Sequence, residues 1–111
     1  MISFDIHKNK ASVYTAINSL DDYIKRNKKL KIRLFSVIVG HGSTGGSHKI
    51  KTAALIFLEE AKVKNKIRGY ILGSDIDIFN NKYINFNSKL KKDITREMHQ
   101  KHNPGEIYIW V

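Results

Sequence analysis

Residues 37–51, VIVGHGSTGGSHKIK, join an apolar run to an amphipathic segment through a glycine-rich loop. The run VIV has the β-branched composition of a buried strand, and the segment after the loop has the spacing of a helix. A strand that leads into a helix in this way predicts a domain in which helices pack on a sheet. Gly40, Gly42 and Gly45 have the spacing G-x-G-x-x-G, so the loop is also a candidate phosphate-binding turn.

On both sides of this unit the chain continues to alternate between strand and helix patterns. Residues 2–7, ISFDIH, alternate apolar and polar side chains, which predicts a strand with Asp5 and His7 on one face. Asn9 is a candidate N-cap for the helix that follows. The predicted elements are strands at 2–7, 31–39, 67–72 and 106–111 and helices at 11–26, 47–64 and 88–100.

This order predicts an α/β fold, a two-layer sandwich on a mixed four-stranded sheet, with residues 1–111 forming one domain. The two long amphipathic helices should lie on the same side of the sheet, because right-handed crossovers place them there when the strand order does not reverse. The other face should then be uncovered or thinly covered. Asp5 and His7 are expected on that face.

Composition narrows the class of partner. The chain has 111 residues, a formal net charge of +10 and no cysteine. A basic excess of this size favours a polyanion such as nucleic acid, although lysine-rich usage is also typical of proteins from AT-rich genomes. Nothing in the sequence has the length and hydropathy of a membrane span, so we expect a cytoplasmic protein with no membrane partner.

Two familiar glycine motifs fit the loop poorly. A dinucleotide needs a second half-fold for its other nucleotide, and the chain offers one such unit, so we expect neither a dinucleotide nor another cofactor. A P-loop would require Lys-Ser/Thr after the last glycine, where this chain has Gly46 and Ser47.

A loop for another phosphate fits better, because glycines expose backbone amides at a helix N-terminus, where the macrodipole favours an anion. Cations in the first turn of a helix disfavour the helix itself, so His48, Lys49 and Lys51 suit a bound phosphate. The alternative is a flexible turn with incidental lysines. The candidate nucleic-acid-binding residues of this region are Gly40, Gly42, Ser43, Thr44, Gly45, Gly46, Lys49 and Lys51.

Asp5 and His7 form the candidate catalytic pair. A carboxylate beside an imidazole fixes its tautomer and raises its basicity, as a general base requires. If the strands that carry His7 and the glycine loop are parallel neighbours, their carboxyl ends converge, and His41 supplies a second imidazole. The alternative is an exposed Asp and His on an edge strand.

Two further groups of side chains have spacings that suggest a function. Tyr108 and Trp110 face away from the helices and can stack nucleic-acid bases, or else pack under residues 73–105. His99 and His102 have an i, i+3 spacing, but on a lysine-rich helix with no third ligand they indicate solvated side chains, and we expect no metal site.

Three short motifs together resemble the small MutS-related (Smr) domain family. FDIH at 4–7 resembles its hydrophobic Asp-Leu-His-Gly motif, VIVGHGSTGG at 37–46 is similar to its His-Gly-x-Gly motif, and NPGEIYIWV at 103–111 resembles the end of stand-alone members. The resemblance spans most of the chain in order and spacing. Lys8 replaces the usual glycine of the first motif, and Val39 replaces the histidine of the second.

The resemblance implies a β-α-β-α-β-β sandwich similar to the C-terminal domain of a translation initiation factor. It also implies binding of DNA or RNA, including association with ribosomes, and endonuclease activity in which Asp5 and His7 take the family's functional positions. Because Val39 replaces a histidine, a catalytically inactive binding module is the alternative. A small nucleotide-binding protein is a third reading, from the glycine loop alone.

Overall fold

The computed structural model describes residues 2–6, 12–40, 45–73 and 105–111. The predicted helix at 88–100 lies outside these residues. The described part of the chain contains, in order, β1 (Ser3–Asp5), α1 (Val13–Lys29), β2 (Leu34–Ile38), α2 (Gly45–Val63), β3 (Gly69–Leu72) and β4 (Glu106–Trp110).

The four described strands form one mixed sheet in the order β1-β2-β4-β3. β1 pairs with β2 in parallel, and β4 lies antiparallel between β2 and β3. The predicted mixed sheet is therefore confirmed. Because β4 occupies the interior, the carboxyl ends of β1, β2 and β3 and the amino end of β4 lie at one edge of the sheet.

Both helices pack on the same face of the sheet, as predicted for a two-layer sandwich. One hydrophobic cluster joins α1 through Leu20, α2 through Leu58, and the sheet through Phe35, Val37 and Ile107. Each of these five side chains is completely removed from solvent. Neither helix is long and apolar enough to cross a membrane.

α1 begins and ends later than the sequence pattern indicates. Its N-cap is Ser12, whose Oγ accepts a hydrogen bond of 3.1 Å from the Thr15 amide. The predicted cap, Asn9, lies outside the described residues, and the predicted start at residue 11 is wrong because Ser12 is extended (φ −69°, ψ 161°). The helix ends at Lys29, and Lys31 then reverses the chain with a φ of 60°.

The second face of the sheet is covered over most of its area, which corrects the expectation of an open face. Ser36, Tyr108 and Ile71 are neighbours across β2, β4 and β3 on this face, and each is at most 2% exposed. Exposing the tyrosine ring and the isoleucine side chain to water would cost free energy in proportion to their apolar area. The face is accessible at β1, where Ser3 is exposed and Asp5 is half-buried.

Tyr23 of α1 holds β1 against the rest of the sheet. Its hydroxyl donates to the Ser36 carbonyl oxygen at 2.9 Å, and the Ile2 carbonyl oxygen lies at 3.3 Å. Its ring packs between Phe4 and Phe35, with both centroid distances 5.2 Å. A three-residue edge strand has few ladder hydrogen bonds of its own, so this side chain contributes much of the attachment of β1.

We expect Tyr23→Phe to lower the free energy of unfolding by about 1 kcal/mol, the usual net value of one hydrogen bond, because the ring contacts remain. Urea denaturation measures the change. Tyr14→Phe is the matched control, since Tyr14 is 79% exposed. Equal effects of the two substitutions would contradict the role given to the Tyr23 hydroxyl.

The same hydroxyl predicts a loss of stability in alkali. Burial, and secondarily the negative charge of Glu106, raise the pKa of Tyr23 from its ordinary value of 10.0 to about 12, against the opposing effect of Asn27. A group whose pKa is raised on folding stabilises the fold fully below its unfolded pKa, and this stability is lost as pH rises toward the folded pKa. The free energy of unfolding should therefore fall between pH 10 and 12, and less steeply in Tyr23→Phe. A fall of unchanged steepness in that variant would assign the effect to other groups.

Candidate functional site

Asp5 is the last residue of β1 and lies at the sheet edge where β2 also ends. It stands opposite Ile38 in the parallel register, and the next residue, Ile6, donates its amide to the Ile38 carbonyl oxygen at 3.0 Å. Phe4 and Ile6 face the helices, so alternation directs Asp5 to the opposite face. β1 and β2 are thus the parallel neighbours on which the proposed convergence depends. His7 lies outside the described residues.

Gly40 begins the glycine loop with a left-handed backbone. Its φ is 84°, a conformation that residues with a Cβ rarely adopt, and the residue is buried. Glycine is therefore required at this position by the backbone itself. The loop residues His41, Gly42, Ser43 and Thr44 lie outside the described residues.

Gly105 locks the start of this loop to the start of β4. Its carbonyl oxygen accepts the Val39 amide at 2.7 Å. A Cβ on Gly105 would lie 2.9 Å from the Gly40 carbonyl carbon and 3.1 Å from its oxygen. This close approach of two backbones explains why glycine occupies position 105.

α2 begins at Gly45, two residues before the predicted start at Ser47. The first amides of an α-helix have no acceptor within the helix, which makes the start of α2 a candidate anion site. The earlier start also moves Lys49 and Lys51 from the first turn to the second. Lys49 is exposed and Lys51 half-buried, on either side of the buried Ile50.

Glu106 is a further acidic residue of this edge, which the sequence analysis did not select. It is the first residue of β4, lies opposite Ile38, and is 7% exposed. Asp5 and Glu106 flank Ile38 in one row of the sheet, at a Cα separation of about 10 Å from the usual strand spacing. Strand alternation from Tyr108 places Glu106 on that face, a signal that the sequence already carried.

Val39 has a different role from the histidine that the resemblance places there. Its side chain is completely buried and belongs to the core cluster that includes Ile6 and Ile50. It therefore lies on the helix side of the sheet, whereas Asp5 lies on the other side. A side chain at position 39 cannot approach the Asp5 carboxylate through the sheet.

Tyr108 and Trp110 lie on the face opposite the helices, as predicted, but both are buried, at 1% and 7% exposure. Trp110 packs so closely on Gly69 that a Cβ there would lie 2.2 Å from its Cζ2 atom. In this arrangement neither ring offers an open face for a base. Their role in stacking stays a prediction.

Among the described ranges, no three His, Asp or Glu side chains are grouped in a way that suits a metal ion. His99 and His102 lie outside them. The described residues of this edge therefore combine two carboxylates, a left-handed glycine and the N-terminus of a long helix. Such a set can orient a base through Asp5 and accept an anion at α2.

We expect Gly105→Ala to lower the free energy of unfolding by about 1–3 kcal/mol, because backbone atoms of Gly40 must move to admit the methyl group. The Val39 amide should also exchange with solvent faster, which hydrogen exchange measures. Ser3→Ala on the exposed edge strand is the control and should stay within about 0.5 kcal/mol. A Gly105→Ala protein with unchanged stability and exchange would show that this contact is not tight.

Comparison of the chain with protein-family models, with curated proteins and with solved structures finds no match of any of the three kinds. The resemblance to the Smr family therefore stays a prediction that rests on the three short sequence motifs.

Proposed function

We propose that this protein binds nucleic acid at the sheet edge formed by Asp5, Gly40 and the start of α2, and cleaves it there. The observation that carries the proposal is the parallel pairing of β1 with β2. It brings the carboxylate and the glycine loop to the same edge, where α/β folds place their ligands.

Charge supports a phosphate as the group that is bound. The chain has a formal net charge of +10, and Lys49 is exposed in the second turn of α2. Helix amides and a nearby lysine together suit a phosphodiester oxygen. The proposal includes a cytoplasmic location for this activity.

The proposed reaction is attack of an RNA 2′-hydroxyl on the adjacent phosphorus. His7 accepts the hydroxyl proton, Asp5 orients the imidazole, and the loop amides with Lys49 hold the phosphate oxygens. A bond forms between O2′ and phosphorus, the bond to O5′ breaks, and the leaving oxygen takes a proton from solvent. His41 is the second imidazole available to this site.

Binding without cleavage is the second candidate, and the valine at position 39, where the second motif has histidine, favours it. A valine that is fully enclosed in the core contributes packing and no proton transfer. If the reaction needs a histidine of the second motif, this chain retains the binding surface and lacks the chemistry.

Binding should depend strongly on salt. The logarithm of the affinity for duplex should fall by about 0.9 per phosphate contact for each log unit of salt. Lys49→Glu with Lys51→Glu should lower that slope in fluorescence anisotropy titrations between about 50 and 200 mM salt. Lys25→Glu is the control, because Lys25 lies on α1 and pairs with Asp21 at 2.8 Å. An affinity that does not change with salt would remove the electrostatic basis of the proposal.

Cleavage should depend on His7 more than on Asp5. His7→Ala should reduce the rate of RNA cleavage by about 10²–10⁴-fold, as expected for loss of a general base, and Asp5→Asn by less. A 2′-deoxy substrate should resist cleavage, and EDTA should have no effect because the proposed base is an imidazole. Single-turnover assays on end-labelled RNA measure these rates, and Ser3→Ala is the control on the same strand.

Intact cleavage by His7→Ala would contradict the mechanism. Tight binding by the wild type with no cleavage of RNA or DNA would establish the second candidate.

Val39→His does not restore a site by simple replacement. It should lower the free energy of unfolding by about 1.5–3 kcal/mol from the lost burial of valine alone, so its cleavage must be assayed below its melting temperature.

A further inference from the structure

The end of the sheet opposite Gly40 has a high density of Lys and Arg side chains. The segments 26–33 and 62–68, which connect each helix to the next strand, contain five and four Lys or Arg residues and no Asp or Glu. We call these nine side chains the basic pole: Arg26, Lys28, Lys29, Lys31, Arg33, Lys62, Lys64, Lys66 and Arg68.

The fold brings the two segments together. β2 and β3 are parallel to each other, because each pairs antiparallel with β4, so both begin at the same edge. Lys28 Nζ donates to the Lys66 carbonyl oxygen at 2.8 Å, directly joining the two segments. The end of β4 lies between them, with the Arg68 amide bonded to the Trp110 carbonyl oxygen at 2.9 Å.

An open cleft of about 690 Å³ lies within the basic pole. Arg33, Lys62 and Arg68 provide its cations, and all three are exposed. Ile67 and Trp110 line it as well, and both are buried. The cleft therefore combines charged walls with a firm apolar base, and it has the volume of ordinary ligand sites.

Only some of the cations of the basic pole have a role in stabilising the fold. Arg26, Lys28 and Lys29 lie in the last turn of α1, where cations interact favourably with the helix dipole. The three cations of the cleft form no ion pair with any acid in the described ranges. Held close together in this way, they repel one another and raise the local positive potential.

We propose that the basic pole binds the phosphodiester backbone of nucleic acid, with phosphates seated in the cleft between Arg33, Lys62 and Arg68. This inference rests on the proposed function and places a second contact of the same ligand away from the candidate chemistry. Phosphate contacts of this kind position a nucleic acid without reading its sequence.

The length of α2 sets the distance between the two contacts. From Gly45 to Lys62 the helix rises by about 26 Å, at 1.5 Å per residue. Glu59 and Glu60 are exposed on α2 in between, and Glu59 accepts a hydrogen bond of 2.7 Å from the Tyr70 hydroxyl. These two acids interrupt the cationic surface between its ends. At 3.4 Å per base pair, a duplex must be about eight base pairs long to reach both ends.

The test compares two charge-matched double variants of the full chain. Arg33→Gln with Arg68→Gln neutralises the cleft, and Lys49→Gln with Lys51→Gln neutralises the glycine-loop end. Fluorescence anisotropy measures binding to labelled RNA and DNA duplexes of about 6 and 16 base pairs between about 50 and 200 mM salt. Thermal melts check that each variant is folded, and the exposed position of both arginines predicts an unchanged midpoint.

For the longer duplex we expect the cleft variant to lower the salt slope by about 1.8, the value for two lost contacts. Affinity should rise steeply between the short and the long duplex in the wild type, because only the long one spans both ends. In the cleft variant this rise should be largely lost.

A cleft variant with wild-type affinity and slope, beside a weakened Lys49/Lys51 variant, would overturn the basic pole and leave the proposed function standing. A wild type that binds neither duplex would overturn both. Polyglutamate of matched charge serves as competitor: displacement as effective as that by unlabelled duplex would show that the pole takes any acidic polymer, contrary to the assignment to phosphodiesters.

Discussion

The position of β4 between β2 and β3 determines what lies at each end of the molecule. Every residue of β4 is buried, and its ladder with β2 runs without interruption from Leu34 opposite Trp110 to Ile38 opposite Glu106. At one end this ladder brings Gly105 against Gly40, and at the other it sets Trp110 beside Arg33 and Arg68. A shift of the register by one residue would move each β4 side chain to the other face and separate both sets of groups.

The two ends differ in charge and in construction. The glycine-loop end holds Asp5, Glu106 and backbone amides, and its form depends on the left-handed Gly40. The opposite end consists of two short basic connections over a cleft. These two ends are suited to different tasks. Polar backbone groups can orient a single phosphate, whereas a dense set of cations can attract an extended polyanion from a distance. A substrate fixed at the basic pole would reach the other end with its orientation already restricted.

Local patterns in the sequence were sufficient for the element types and for the layer arrangement. The alternation in residues 2–7 and the helical spacing of the two amphipathic segments report which side of each element is apolar. The right-handedness of β-α-β crossovers then predicts both helices on one face of the sheet, which the structure confirms. Boundaries were less accurate, since Ser12 and Gly45 start the helices through capping and backbone geometry that periodicity does not record. Tyr23 was overlooked because its value lies in contacts with Phe4 and Phe35, which are distant in sequence.

The site was harder to predict because its geometry depends on contacts between residues that are distant in sequence. The expected convergence of Asp5 and the glycine loop was conditional on parallel neighbouring strands, and the structure shows that β1 and β2 are such strands. The burial of Glu106 and the contact of Gly105 with Gly40 follow from the insertion of β4 between β2 and β3, which pairs residues that are distant in sequence. The basic pole is visible in the sequence as two runs, but only the sheet shows that they meet.

Val39 illustrates how position in the sheet limits chemistry. Residues 35, 37 and 39 alternate toward the helices, so the side chain at 39 lies in the core whichever residue occupies it. A histidine there would have to be buried, would need hydrogen-bond partners among apolar neighbours, and would face away from Asp5. Valine fills this core position without burying a polar group. The chemistry of the edge, if it is catalytic, must therefore come from the Asp5 side of the sheet and from the loop that begins at Gly40.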